Sequence, residues 1–240
     1  MSITSRTTHD GPTSLSVGPF SAALFDLDGT LVDTAPDLVN ALFRVCDEHS
    51  IARPERALAT QHVSLGGLGL VQLAMPAASG DTQRQAHLDL LDTYSAHIAD
   101  ASAFYPAWRE TLPQIDVPWG VVTNKPHALA VTLMQQLGAP VPDCIVGGDL
   151  LTRRKPEPDP LIFAAGLLGV RPQDCLYFGD HERDMVAAKS CGMHAVGVTY
   201  GYLLDDDDPT TWPADELARD DAAAAQILLS ALAQTDVAHA

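Results

Sequence analysis

The stretch that decides the fold runs from Ser21 to Thr30 and has the sequence SAALFDLDGT. Its first half is almost wholly apolar and stops abruptly at Asp26, after which Asp28 follows two residues later. A short apolar run of this kind is typical of a central strand in a parallel sheet, because such a strand is buried on both faces. The stretch therefore predicts a buried strand with carboxylates at its end.

The chain after Pro106 supplies the other elements of such a sheet. Short apolar runs alternate there with segments of helical periodicity, a pattern that implies βαβ units with right-handed crossovers. The predicted strands are Trp119–Val122, Cys144–Val146, Cys175–Phe178 and Ala195–Thr199, and the predicted helices lie near 127–137, 160–168 and 183–190. We predict an α/β fold with a Rossmann-like parallel sheet covered by helices on both faces.

The segment between the first strand and this alternating region has a different pattern. Helical periodicity is present in Pro36–His49 and Gln83–Ala99, and no strand pattern is visible between Pro36 and Ser102. We therefore expect a helical domain at 36–102, inserted into a core domain formed by 20–35 and 103–240. Residues 1–19 are rich in Ser, Thr, Gly and Pro and are predicted to form a disordered tail.

Composition narrows the possible partners. The chain has 31 acidic residues against 14 Lys and Arg, a formal charge of −17, which repels nucleic acid and anionic membranes. A phosphorylated small molecule is repelled as well, so a site for one must gather positive charge locally. The four cysteines form no C-x-x-C pair, and no signal peptide or membrane-spanning run is visible. We expect a cytoplasmic protein with reduced thiols, either monomer or homodimer.

Polar and charged side chains follow the predicted strands. Since the carboxyl ends of parallel strands meet at the edge of the sheet that binds ligands, we expect these side chains to lie together. A single Asp at a strand end is most often a helix cap, but packing gives no reason to gather several carboxylates unless a cation compensates them. The residues are Asp26, Asp28, Gly29 and Thr30 after the first strand, Thr123, Asn124 and Lys125 after the second, Lys155 after the third, and Gly179, Asp180 and Asp184 after the fourth.

Four ordered motifs in the chain resemble those of the haloacid dehalogenase superfamily. They are Asp26-Leu27-Asp28-Gly29-Thr30-Leu31-Val32-Asp33, Val122-Thr123-Asn124, Lys155-Pro156 and Gly179-Asp180-His181-Glu182-Arg183-Asp184. The resemblance extends from Ala22 to Tyr202, and the helical insertion corresponds to the cap of that superfamily. WGVVTNKP at 119–126, MQQLG at 134–138 and Tyr200-Gly201-Tyr202 resemble the phosphoglycolate phosphatase-like group, and within it the N-acetylmuramic acid 6-phosphate phosphatases.

The resemblance implies a Mg²⁺-dependent phosphatase that acts on a small phosphorylated metabolite. Asp26 would be the nucleophile that forms an aspartyl-phosphate, and Asp28 the general acid and base. Mg²⁺ would be bound by Asp26, Asp180 and the main-chain carbonyl of Asp28, with Asp184 as a further ligand or as the holder of a metal-bound water.

The same resemblance implies how the substrate is held. Thr123 and the amide of Asn124 would bind phosphate oxygens, while Lys155 would neutralise both phosphate and carboxylates. Gly66 and Gly67, within Val63–Gly69, would face the active site from the cap, although a flexible turn between cap helices explains that segment equally well.

Several residues are harder to assign. Lys125 is as easily a solvated surface lysine as a functional one, so we leave it out of the catalytic set. Asp205 to Asp208 are predicted to be a solvated loop. His181 occupies a position where the resemblance implies an acidic residue.

Two other functions remain open on the same framework. A sugar phosphomutase would share the fold, and a catalytically silent binding module could be built on it. For a phosphatase, the resemblance implies a phosphorylated carboxylic acid as substrate, either 2-phosphoglycolate or N-acetylmuramate 6-phosphate. The carboxylate would need a donor from the cap, for which the sequence offers Arg44, Arg53, Arg56, His62, Arg84 and the amides near Gly66 and Gly67.

Overall fold

The computed structural model of the chain describes residues 20–237, so the predicted tail at 1–19 lies outside the described residues. Within this range, six strands form one parallel sheet. Numbered in chain order and given in spatial order, they are Cys144–Val146 (β5), Trp119–Val122 (β4), Ala22–Phe25 (β1), Cys175–Gly179 (β6), His194–Val198 (β7) and Glu216–Ala218 (β8).

β1 is a central strand, as its sequence predicts. It pairs with β4 on one side and β6 on the other, and all four of its residues are buried. Its side chains alternate between two apolar clusters, with Ala23 and Phe25 in one and Ala22 and Leu24 in the other. This alternation is the two-residue period of a strand that is covered on both faces.

Helices cover both faces of the sheet, which confirms the predicted fold class. They are Pro106–Thr111 (α5), His127–Leu137 (α6), Asp159–Leu167 (α7), Glu182–Ser190 (α8) and Asp221–Val237 (α9). Trp108, Leu133 and Leu228 place α5, α6 and α9 against the cluster of Phe25, while Leu161 and Met185 place α7 and α8 against the cluster of Leu24.

The helical insertion leaves and rejoins the core through a short antiparallel ribbon of Val32–Asp33 (β2) and Ala103–Phe104 (β3). Residues 36–102, all of them described, contain no strand. The helices are Ala35–Glu48 (α1), Arg56–Gln61 (α2), Gly66–Ala74 (α3) and Gly80–Ala96 (α4), with a 3₁₀ helix at His62–Leu65.

α4 begins and ends three residues before the helix predicted at Gln83–Ala99. The hydroxyl of Ser79 accepts a hydrogen bond from the amide of Thr82 at 3.3 Å and so caps the helix at its N-terminus. The sequence analysis missed this cap because it placed the helix by its apolar residues alone.

Other short elements were also missed by the sequence analysis. β2 and β3 have two residues each, and β8 has exposed residues at its first two positions, so none shows a period that a sequence pattern can display. The four cysteines are unpaired, and none of the described helices is long and apolar enough to cross a membrane.

Asp37 ties the beginning of the insertion to its end. The side chain is buried in the first turn of α1, and its carboxylate accepts hydrogen bonds from the amides of Ala101 and Ser102 and from the Ser102 hydroxyl, at 2.6 to 3.1 Å. One carboxylate therefore links the segment that enters the insertion to the segment that leaves it.

Replacing Asp37 should destabilise the protein. We expect Asp37→Ala to lower the free energy of unfolding by about 1–3 kcal/mol, because it leaves buried donors at Ala101 and Ser102 without an acceptor. Urea unfolding followed by circular dichroism measures the difference. Asp92→Ala, at an exposed position of α4, is the control, and equal stability of the two variants would contradict the role of Asp37.

Candidate active site

The carboxyl ends of three neighbouring strands bring the predicted site residues together. Asp26 follows β1, Thr123 follows β4, and Asp180 follows β6. All three side chains are at most 3% exposed. The edge of the sheet is therefore lined by polar groups that are held inside the protein.

Lys155 lies at the centre of this group. Its ammonium is 3.0 Å from Asp26 Oδ1 and 2.7 Å from Asp184 Oδ1, and it donates to the Val122 carbonyl at 2.8 Å. The hydroxyl of Tyr177 is 2.8 Å from the same nitrogen, and the side chain of Lys155 is fully buried. The contacts of this one ammonium group therefore connect β1, β4, β6 and α8.

Asn124 and Tyr177 fix the position of this lysine. The Asn124 amide donates to the Lys155 carbonyl at 3.0 Å. Burial and then the charges of Asp184 and Asp26 raise the pKa of Tyr177, so its hydroxyl stays protonated beside the carboxylates.

Asp26, Asp180 and Asp184 form an acidic cluster. One carboxylate oxygen from each lies within 4.8 Å of the others. Burial, together with the charges of Asp26 and Asp184, raises the pKa of Asp180 well above its usual range. Asp180 Oδ1 and Asp184 Oδ2 are buried and have no hydrogen-bond partner within the part of the chain that the structure describes. Buried carboxylate oxygens without partners, within a cluster of three carboxylates, fit a bound cation.

Asp180 is enclosed by two glycines. A Cβ at Gly29 would lie 2.1 Å from Asp180 Oδ2, and a Cβ at Gly201 would lie 2.3 Å from the same atom. Gly29 also has a φ of +79°, in the left-handed region that favours glycine. The amide of Tyr202 donates to Asp180 Oδ2 at 3.0 Å. The backbone approaches the carboxylate so closely that only glycine fits at either position.

Asp28 faces away from the acidic cluster. Its Oδ1 accepts from the Lys125 ammonium at 2.7 Å and from the Thr34 hydroxyl at 2.6 Å. The carboxylate of Asp28 is thus not one of the three clustered carboxylates, and its predicted contact with metal through the main-chain carbonyl stays a prediction.

Lys125 belongs to the site, although the sequence analysis set it aside. Only 5% of its side chain is exposed, and its ammonium is 4.5 Å from the ring centroid of Tyr94, on α4. Burial opposes its charge, but Asp28 and Tyr94 outweigh that effect and raise the pKa of Lys125. The low number of lysines was a signal that the sequence analysis did not use. The chain has three lysines, and the other two are Lys155 in the site and the exposed Lys189. The surface-lysine interpretation is wrong.

A cavity of about 640 Å³ lies between the sheet edge and the helical insertion. The predicted residues that line it are Asp26, Asp28, Gly66, Gly67, Thr123, Asn124 and Lys155, whereas Asp180 and Asp184 are buried outside its lining. Gly66 and Gly67 form the first turn of α3, so this part of the insertion is a helix and not a flexible turn.

Basic residues outnumber acidic residues in the lining of the cavity, although acidic residues predominate in the chain as a whole. The acidic residues of the lining are Asp26 and Asp28, whereas its basic residues are Lys125, Arg154, Lys155, Arg183 and His87. His87 is the one basic lining residue in the insertion, and burial lowers its pKa. The local positive charge that an anionic ligand needs is therefore present, and most of it comes from the core.

The cationic side chains that the sequence analysis proposed for the cap are not in the cavity. Arg53 pairs with Asp47, Arg84 pairs with Asp81, and Arg56 donates to Asn40. Arg44 contacts His97, and His62 contacts the Leu58 carbonyl. Of the candidates that the sequence left open, Gly66 and Gly67 line the cavity and these five side chains do not, because sequence cannot say which face of a helix meets the cavity when both faces carry polar residues.

Arg183 connects the core to the insertion. Its guanidinium donates to the Ser64 carbonyl at 2.8 Å. The neighbouring His181 caps α8, since its Nδ1 accepts from the Arg183 amide at 3.2 Å. Capping explains why a histidine is accommodated where the resemblance implies an acid.

Comparison with known proteins gives one consistent family. The family model described as haloacid dehalogenase-like hydrolase matches residues 23–198. A phosphoglycolate phosphatase of Xanthomonas campestris is 36% identical over 200 residues, covering 82% of this chain and 90% of the relative. An N-acetylmuramic acid 6-phosphate phosphatase of Pseudomonas aeruginosa is 36% identical over 202 residues, covering 81% and 88%.

A solved structure agrees with this result. The crystal structure of a predicted phosphoglycolate phosphatase from Haemophilus somnus superposes with a TM-score of 0.73 and 26% identity, covering 87% of this chain and 98% of that one.

The packing around Asp180 can be tested with two glycines that have nearly the same positive φ. Gly29 and Gly192 have φ values of +79° and +81°, but a Cβ at Gly192 meets nothing within 4 Å. We expect Gly192→Ala to cost about 1–2 kcal/mol of stability from backbone strain alone. Gly29→Ala should cost more, because its Cβ also displaces Asp180. Thermal and urea unfolding compare the two, and equal losses would show that the close approach to Asp180 carries no cost.

Proposed function

This chain belongs to the haloacid dehalogenase-like hydrolases and is a phosphatase of that family, and we propose that it hydrolyses a small phosphorylated carboxylic acid through a phosphoenzyme on Asp26. The single observation that carries this proposal is the separation of two neighbouring carboxylates. Asp26 contacts Lys155 inside the acidic cluster, whereas Asp28 contacts Lys125 outside it. Each carboxylate has the surroundings of a different catalytic role.

Asp26 suits the role of nucleophile. It lines the cavity, and the ammonium of Lys155 lies between it and Asp184, where it can neutralise charge on a phosphate. In the first step a carboxylate oxygen of Asp26 bonds to phosphorus while the bond from phosphorus to the substrate oxygen breaks. The products are the phosphorylated Asp26 and an alkoxide that needs a proton.

Asp28 suits the role of general acid and base. It lies two residues from Asp26, lines the same cavity and keeps its carboxylate clear of the acidic cluster. In the first step Asp28 gives its proton to the departing oxygen. In the second step Asp28 takes a proton from the water that attacks phosphorus, and the bond between phosphorus and Asp26 breaks to give inorganic phosphate.

Asp26, Asp180 and Asp184 would hold the metal, for which Mg²⁺ is our proposal. Their oxygen ligands suit a hard divalent cation, and the unpaired oxygens of Asp180 and Asp184 fit one. The bound ion would supply positive charge for phosphate oxygens in the transition state. Thr123 and Asn124 line the cavity beside Asp26, a position suited to holding the phosphate group.

The names of two relatives narrow the choice of the substrate acid. Two enzymes of equal identity to this chain carry different names, one for phosphoglycolate and one for N-acetylmuramate 6-phosphate. We propose a substrate from this pair of phosphorylated carboxylic acids. The excess of basic residues in the cavity supports a substrate with more negative charge than its phosphate alone.

Asp26→Asn and Asp28→Asn should each abolish most of the turnover while the protein stays folded. For Asp28→Asn we expect kcat to fall by about 10² to 10⁴, the contribution typical of a general acid and base. Phosphate release is measured with both acids, simple sugar phosphates, nucleotides and a phosphopeptide. A rate near that of the wild type for Asp28→Asn would refute its role, and a preference for nucleotides or the phosphopeptide would refute the substrate class.

The metal site predicts opposite effects of one substitution with and without Mg²⁺. In buffer with a chelator, Asp180→Asn should unfold at the wild-type temperature or above it, because the amide replaces a buried carboxyl group whose charge is disfavoured by burial and by Asp26 and Asp184. Mg²⁺ should stabilise the wild type by about 2.7 kcal/mol at roughly 100 times its Kd and should have little effect on the variant. Differential scanning calorimetry measures both. An equal Mg²⁺ effect on the two proteins would contradict the site.

A further inference from the structure

Two buried hydrogen-bond donors, one from the core and one from the insertion, lie next to each other in the lining of the cavity. Lys125 comes from the core, directly after the Thr123-Asn124 pair, and Tyr94 comes from helix α4 of the insertion. Both residues line the cavity, and the lysine ammonium lies 4.5 Å from the tyrosine ring centroid. Neither side chain has a place in the mechanism described above.

The hydroxyl of Tyr94 is a donor without an acceptor. Tyr94 is fully buried, and within residues 20–237 no acceptor meets its hydroxyl proton, since the neighbouring Lys125 ammonium can only donate. Burial raises the pKa of Tyr94 to about 12, partly offset by the charge of Lys125, so the hydroxyl keeps its proton at neutral pH. Buried polar groups without partners are uncommon in proteins and call for an explanation.

Lys125 also has donor capacity to spare. An ammonium group has three protons, of which the hydrogen bond to Asp28 Oδ1 at 2.7 Å uses one and the neighbouring Tyr94 hydroxyl oxygen can accept a second, so at least one remains. The face of the Tyr94 ring is adjacent to the same nitrogen. Lys125 and Tyr94 together offer a cation and a neutral donor, a combination suited to the two oxygens of a carboxylate.

The other basic residues of the cavity differ from Lys125 in burial or in their partners. Lys155 is fully buried between Asp26 and Asp184. Arg183 donates to the Ser64 carbonyl and keeps a buried Nε–H without a partner among the described residues, but Asp28 is paired with Lys125 and not with Arg183. Arg154 is exposed. Lys125 is therefore the lining cation that is both buried and adjacent to Asp28.

We infer that Lys125 and Tyr94 bind a carboxylate carried by the leaving group of the substrate, close to its bridging oxygen. This inference rests on the proposed function, because it takes Asp28 as the group that protonates the bridging oxygen. Since Lys125 contacts Asp28 directly, an anion held by Lys125 lies only a few bonds from that oxygen.

The geometry favours one of the two candidate acids. In 2-phosphoglycolate the carboxylate is attached to the carbon that bears the bridging oxygen. In N-acetylmuramate 6-phosphate the carboxylate belongs to a lactyl ether at C3, across the sugar ring from the phosphate. The short acid places its carboxylate at Lys125 and Tyr94, and the long one places it elsewhere.

Two matched substrate pairs test this inference. The first pair is 2-phosphoglycolate and 2-hydroxyethyl phosphate, which differ in the carboxylate next to the bridging oxygen. The second pair is N-acetylmuramate 6-phosphate and N-acetylglucosamine 6-phosphate, which differ in the distant one. The proteins are the wild type, Lys125→Met, Tyr94→Phe and the control Lys189→Met, which removes an exposed lysine near the C-terminal end of α8.

The expected result is a loss of selectivity within the first pair. The ratio of kcat/KM for 2-phosphoglycolate to that for 2-hydroxyethyl phosphate should fall about 10- to 100-fold in Lys125→Met, the range of a hydrogen bond to a charged group. The ratio should fall about tenfold in Tyr94→Phe, which keeps the ring, and most of each loss should be in KM. Lys189→Met should match the wild type.

Two results would overturn this inference alone. If kcat/KM in Lys125→Met falls equally for both members of the first pair, Lys125 acts only through Asp28. If the ratio of kcat/KM changes only within the second pair, the bound carboxylate lies far from the bridging oxygen. Tyr94→Phe gives an independent answer if Lys125→Met does not fold. Absence of phosphate release from all four compounds by the wild type would overturn the proposed function and this inference with it.

Discussion

The ion pairs of Lys155 with Asp26 and Asp184 are the interactions on which the rest of the structure at the sheet edge depends. Charges about 4 Å apart interact by roughly 4 kcal/mol at an effective dielectric near 20, so three buried carboxylates at one edge would repel strongly without a cation. Lys155 supplies one positive charge from within the chain. The unpaired oxygens of Asp180 and Asp184 show that this compensation is partial, which is why the site is suited to a further cation.

The backbone around Asp180 also helps to hold the acidic cluster in place. Gly29 and Gly201 allow two loops to approach Asp180, and the amide of Tyr202 donates to it. Asn124 holds the segment that carries Lys155. These contacts come from the segments after β1, β4 and β7, so the cluster and the parallel sheet stabilise one geometry together.

The core and the helical insertion contribute differently to the cavity. Carboxylates and most of the positive charge come from the core, while the insertion contributes apolar side chains, helix α3 and Tyr94. The chemistry is therefore fixed by the sheet edge. On the proposed function, selection among phosphate esters would depend on how the insertion meets the sheet edge, at contacts such as Lys125 with Tyr94 and Arg183 with Ser64. Relatives with similar cores can thus carry names for different acids.

The sequence by itself determined the parallel sheet, the helical insertion and the residues at the strand ends, because apolar runs and the polar residues directly after them are local patterns. It did not determine which side chains of the insertion reach the cavity. The arginines chosen from sequence pair with nearby acids on the surface, whereas Tyr94 lies in a helix whose pattern marks it only as apolar. Lys125 was ambiguous for the same reason, since its two neighbours Asp28 and Tyr94 are distant in the chain. Only tertiary structure decides such contacts, because burial and pairing depend on which elements pack together and no local pattern records that.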